Sequence, residues 1–91
     1  MDSEKLIERK LVDAVKAKGG ICVKFYSAYQ RGVPDRIVLM PQGRVYFVEL
    51  KSTGKKPTKL QELFIGKLRS LGFIVEVIDT IEKLTEFANR V

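Results

Sequence analysis

The sequence predicts an α/β fold of element order αβββαβα, with a central mixed four-stranded sheet flanked by helices. Three observations carry that reading. Apolar residues recur at helical spacing in three segments, they alternate or run together in four strand-length segments, and a helix-length segment separates the last two of these. Two sheet-neighbouring strands joined through a helix run parallel, so the third and fourth strands are expected to be parallel and the earlier ones antiparallel. At 91 residues there is room for one core, and residues 1–91 are read as a single domain.

Residues 3 to 18 form the first expected helix, with Ile7, Leu11, Ala14, Val15 and Lys18 at helical spacing and Gly19-Gly20 ending it. Glu8 borders this apolar stripe. Ile21 to Tyr26 alternates as a strand, with Ile21, Val23 and Phe25 on one face. Ser27 to Pro34 reads as a loop containing Arg31-Gly32. Asp35 opens a second strand, Arg36 to Met40, and the turn Pro41-Gln42-Gly43 leads into a third from Arg44 to about Lys51. Gly43 suits the left-handed position of a three-residue hairpin. A basic loop, Ser52 to Pro57, precedes Thr58, a helix N-cap with Gln61 three residues on as the second member of a capping box. Leu60, Phe64, Leu68 and Leu71 are the expected buried stripe of that helix, and Gly72 follows its end. Phe73 to Ile78 is the fourth strand. Asp79 or Thr80 caps a last helix bearing Ile81, Leu84, Ala88 and Val91.

Composition narrows the chemistry. A hydrophobic fraction of 45% with 31% charged residues is that of a folded chain. Seventeen Lys and Arg against eleven Asp and Glu leave a net charge of +6, which favours polyanionic partners through counterion release. The chain has no histidine and one cysteine, Cys22, which rules out an internal disulfide, a Cys/His zinc cluster and histidine acid–base catalysis. Cys22 reads as a small buried residue. The opening MDSEKLIERK is acidic and amphipathic, unlike a signal peptide, and no apolar run approaches membrane-spanning length. The expectation is a cytoplasmic protein, with no membrane partner and no small-molecule cofactor.

The third strand carries the chemistry. Alternation puts Glu49 and Lys51 on one face with Val45 and Phe47, charged residues in an otherwise apolar row. With Met40 and Arg44 flanking a three-residue turn, counting outward along the hairpin sets Asp35 opposite Glu49. Directly opposed residues share a sheet face with Cβ atoms about 5 Å apart, and two carboxylates so placed repel. A bound divalent cation removes that penalty, and oxygen-only ligands favour Mg²⁺ or Mn²⁺. The backbone carbonyl of Leu50 is a further candidate ligand. Such a cation polarises a phosphate and acidifies an attacking water, and Lys51 would offset charge in the transition state.

At these residues the chain resembles a known family. Pro34-Asp35 followed by Glu49-Leu50-Lys51 is similar to the PD-(D/E)XK nuclease signature. More narrowly, Gly32-Val-Pro-Asp35, Val48-Glu-Leu-Lys51 and Gln61 resemble the VRR-NUC (virus-type replication–repair nuclease) group in its stand-alone phage or bacterial form. The resemblance covers nearly the whole chain. It implies a restriction-endonuclease-like core and a Mg²⁺- or Mn²⁺-dependent endodeoxyribonuclease. It also implies Asp35, Glu49 and the Leu50 carbonyl as metal ligands, Lys51 as the catalytic lysine, and catalytic roles for Glu8 and Gln61. Lys24 falls on the first strand, where the group often carries a basic residue, and is a candidate nucleic-acid contact. The implied activity is structure-selective cleavage of branched DNA, four-way (Holliday) junctions included, by a homodimer in the cytoplasm of a bacterium or of a phage's host.

Several of these residues admit a second reading. Asp35 after proline suits a turn, and Glu49 with Lys51 suits a solvated edge row. Gln61 serves equally as a capping-box residue. Arg31, Lys55, Lys56 and Lys59 are candidate DNA-backbone contacts or a basic solvent-facing surface. Tyr26 and Tyr29 suit base stacking, partial burial or a place at an interface. The competing functions are a non-catalytic nucleic-acid-binding module on the same fold, a protein-interaction domain and a restriction-type enzyme. The last is disfavoured because 91 residues leave little surface for reading base sequence.

Overall fold

The computed structural model describes residues 1–91. Its elements are α1 (Glu4–Ala17), β1 (Ile21–Lys24), β2 (Arg36–Met40), a single 3₁₀ turn (Pro41–Gly43), β3 (Arg44–Leu50), α2 (Lys59–Ser70), β4 (Ile74–Ile78) and α3 (Ile81–Arg90). The order is the expected αβββαβα. The sheet runs β1-β2-β3-β4, with the first two pairings antiparallel and β3·β4 parallel, as the helix between them requires.

Each helix starts on a hydroxyl that satisfies an otherwise orphaned amide. Ser3 Oγ accepts from Leu6 N at 3.2 Å, Thr58 Oγ1 from Gln61 N at 3.2 Å and Thr80 Oγ1 from Lys83 N at 3.1 Å. The β2–β3 turn holds the expected register, from Met40 opposite Arg44 to Arg36 opposite Val48. It does so with left-handed backbone at Gln42 (φ 69°) as well as at Gly43 (φ 72°), one residue more than expected. β1 ends two residues earlier than the alternation suggests. Its ladder nevertheless continues one step, since Phe25 N donates to Asp35 O at 2.9 Å.

Strand alternation splits the core in two. On one sheet face, Ile7, Leu11 and Val15 of α1 and Leu84 and Phe87 of α3 pack on Val38, Met40, Val48, Leu50 and Ile78. On the other, Ile65 and Leu68 of α2 pack on Phe47 and Val75. Two helix faces differ from expectation. In α2 the buried pair is Ile65 and Leu68, Phe64 is half-buried, and Leu60 and Leu71 lie exposed. The helix is rotated toward β4, the strand it packs against, so the side of its stripe bearing Leu60 and Leu71 faces away from the core. In α3, Phe87 takes the deep position, with Ile81 and Val91 packed at the margin.

Candidate active site

Two backbone features and one side-chain hydrogen bond set Asp35 beside the end of β3. The loop between β1 and β2 closes at Phe25–Asp35, so Asp35 sits where β2 begins, behind a buried Pro34. One further step of the β2–β3 register places it across from Glu49. The Asp35 carboxylate turns onto the neighbouring strand, where Oδ2 accepts from Leu50 N at 2.8 Å. Oδ1 is left free of hydrogen bonds.

Glu49 is the one charged residue buried in the fold, at 1% exposure. Neither of its carboxylate oxygens takes a hydrogen bond. Lys51 Nζ lies 3.2 Å from Oε2, an ion-pair distance without hydrogen-bonding alignment. Burial pushes the Glu49 carboxyl up from the ordinary 4.5 to about 7, and the nearby Asp35 charge adds to the rise. Lys51 opposes it, and Glu4, in the first turn of α1, pushes in the same direction as Asp35. A buried carboxylate without donors costs several kcal/mol unless a cation compensates it. Lys51 supplies part of that compensation.

These residues fit a hard divalent cation. Two carboxylates from adjacent strands share this end of the sheet, one of them the buried and orphaned oxygen pair of Glu49, and neither histidine nor a free thiolate competes as ligand. No cluster of three or more acidic, Cys or His side chains forms, so water and backbone oxygen would complete the coordination. The donor set suits Mg²⁺, which retains several waters when held by one or two carboxylates.

The other candidates fall elsewhere. Glu8 turns to Arg36, with Oε2 at 3.0 Å from Nε, and Arg36 Nη1 also donates to Cys22 O at 3.1 Å. By alternation, Arg36 and its β1 partner Lys24 occupy the sheet face opposite that of Asp35 and Glu49. Glu8 thus ties α1 to β1 and β2, and Glu4, one turn earlier, is the helix carboxylate whose charge reaches Glu49. The only sequence signal for Glu4 is its i, i+4 relation to Glu8. Cys22 is half-buried at the margin of the α1 core.

Gln61 is engaged in the capping box: its Oε1 accepts from Thr58 N at 2.8 Å, leaving Nε2 unbonded. Gly32 reaches the same turn of α2 from the β1–β2 loop. At φ +82°, it packs so closely that a Cβ there would stand 2.5 Å from Leu60 O. The family motif's glycine thereby clamps the Asp35 loop to the start of the helix carrying Gln61.

Arg31, Lys55, Lys56 and Lys59 are exposed, and none forms an ion pair. The lysine loop is pinned at Gly54, whose N donates to Asp79 Oδ2 at 3.3 Å, and at Thr53, whose Oγ1 accepts from Asp2 N at 2.8 Å. No helix is long and apolar enough to cross a membrane.

A mixed four-stranded sheet carrying Asp, Glu and Lys at the ends of its two central strands defines a class, the PD-(D/E)XK-type nuclease fold. Comparison with known proteins makes it specific. The VRR-NUC domain model matches residues 2–80. A phage protein named "Putative nuclease p44", from Acyrthosiphon pisum secondary endosymbiont phage 1, is 47% identical over 77 residues, or 85% of this chain and 83% of that protein. A solved VRR-NUC domain superposes with a TM-score of 0.90 over 98% of this chain and 97% of its own, at 24% identity, a likeness of fold. The chain belongs to the VRR-NUC nuclease family.

Proposed function

We propose that the protein is a metal-dependent, structure-selective DNA endonuclease that hydrolyses phosphodiester bonds of branched DNA such as four-way (Holliday) junctions. In this reading it acts as a homodimer in the cytoplasm of a bacterium or of a phage's host, with residues 1–91 as one catalytic domain. The observation that carries the reading is the buried, hydrogen-bond-free carboxylate of Glu49, set beside Lys51 and across from Asp35.

Asp35, Glu49 and the Leu50 carbonyl would hold Mg²⁺ or Mn²⁺. Bound there, the cation supplies Lewis-acid polarisation of the phosphate and a more acidic water. The protein's own residues do the rest. The Leu50 amide fixes the Asp35 carboxylate, and burial keeps Glu49 from being solvated by bulk water. Lys51 presents its ammonium to charge developing on the phosphate oxygens. Gln61 Nε2 has an unused donor for a phosphate oxygen, while its Oε1 stays in the cap. Arg31, Lys55, Lys56 and Lys59 offer unpaired charge to the DNA backbone, and Lys24 offers it from the opposite sheet face.

The homodimer is supported by two features. Two copies related by a two-fold axis match the symmetry of a four-way junction. The sheet face that α2 leaves bare exposes the cross-strand apolar pair Ile21 and Leu39.

The test is cleavage of labelled duplex, flap, splayed and four-way substrates with Mg²⁺ and with Mn²⁺. Branched substrates should be cut at least about tenfold faster than duplex. Asp35→Ala, Glu49→Ala and Lys51→Ala should abolish cutting while binding persists. No cleavage by the wild type, with salt-sensitive binding indifferent to divalent metal, would assign the chain to a non-catalytic DNA-binding role instead.

A further inference from the structure

Tyr29 is 100% exposed and Tyr26 is 84% exposed. Both stand on the loop that ends at Asp35, and neither ring packs against another aromatic residue. An exposed aromatic ring contributes little to folding, and tyrosine, with one apolar and one polar end, is enriched at interfaces. The loop is nonetheless built. Ser27 Oγ accepts from Gln30 N at 3.0 Å, Gln30 Nε2 donates to Arg31 O at 3.1 Å, and Gly32 is seated on the backbone of Leu60. Phe25 N to Asp35 O closes its base. The rings are therefore displayed from an ordered support.

Charge identifies the partner. From Ala14 to Pro34 the chain carries Lys16, Lys18, Lys24 and Arg31 and no acidic residue. From Leu50 to Gln61 it carries Lys51, Lys55, Lys56 and Lys59, again without an acid. The two segments that flank the Asp35–Glu49 pair in sequence are thus acid-free in a chain with eleven acidic residues. Arg31 shares the tyrosines' loop, whereas Lys16 and Lys18 lie toward the other end of β2 and Lys24 on the opposite sheet face. Exposed aromatic rings together with the unpaired cations Arg31, Lys55, Lys56 and Lys59 suit a strand whose phosphates meet the cations and whose unstacked bases meet the rings.

We propose that Tyr26 and Tyr29 stack on unpaired bases next to the scissile phosphate, so that this loop selects DNA with opened bases over continuous duplex. This deepens the nuclease reading and rests on it. Reach is consistent: six residues of chain from Asp35 to Tyr29 span at most about 20 Å, no more than roughly six nucleotide steps of a stacked strand.

The experiment measures binding in EDTA, where cleavage plays no part, using a short fluorescent duplex and the same duplex with one unpaired arm. Tyr29→Ala and Tyr26→Ala should each weaken binding of the armed substrate by roughly 5- to 150-fold and change duplex binding less than about twofold. Tyr29→Phe should bind as the wild type. The chain has no tryptophan, so tyrosine emission is directly observable, and oligo(dT) should quench it in the wild type but much less in the double alanine variant. Equal binding of both substrates by wild type and alanine variants would overturn the proposal. So would a shift from dimer to monomer in sedimentation with DNA affinity unchanged, which would make the loop a protein contact. Because cleavage is assayed separately, either result leaves the nuclease reading standing or falling by itself.

Discussion

Glu49 makes the metal-free protein sensitive to alkali. Its carboxyl titrates near 7 in the fold against 4.5 ordinarily, so the folded state binds the extra proton between those values. A carboxyl raised by folding stabilises the protein fully below the lower value, and that stability is lost as pH rises through the higher one. At about 1.36 kcal/mol per pH unit, the loss is about 3 kcal/mol. Against a typical total of about 5–15 kcal/mol, that is a large share. Urea denaturation in EDTA from about pH 4.5 to about pH 8.5 measures it, with Glu49→Gln as the reference that removes only this titration. Relative to that variant, the wild-type midpoint should fall by about 1–3 M urea across the range. If the site holds Mg²⁺ as proposed, saturating Mg²⁺ should reverse the fall, because a cation there would bind the ionised form. Parallel pH curves for wild type and Glu49→Gln would refute the account of a desolvated carboxylate only partly compensated by Lys51.

Gly32→Ala meets both a positive φ and the Leu60 carbonyl, and should cost about 2–4 kcal/mol by thermal melting; a melting temperature equal to the wild type's would show the loop free of α2. Glu8→Gln should keep cleavage within about threefold of wild type and lower stability by about 1 kcal/mol or less, because its carboxylate is engaged with Arg36. Loss of cleavage with stability intact would return Glu8 to the reacting centre.

Glu49 and Lys51 are legible as a pair because strand alternation is a local rule, and Asp35 joins them through a three-residue turn that sets the register over short range. Chain-local chemistry also determined the capping box of α2, from Thr58 and Gln61, and the parallel β3·β4 pairing, from a helix-length crossover. What the tertiary structure alone decided are matters of which neighbour wins. Leu60 and Leu71 satisfy helical periodicity as well as Ile65 does, and only the seat of α2 beside β4 selects Ile65. Sequence sets Glu8 beside the apolar stripe of α1 without naming its partner, and only the fold brings Arg36 over from the second strand to engage it. The depth at which Glu49 is buried depends on everything packed around it, so no local pattern encodes the carboxyl that now titrates near neutrality. Sequence spacing sets which residues share a face of one element, whereas the competition among elements for a common core sets how deep each residue goes and whom it meets.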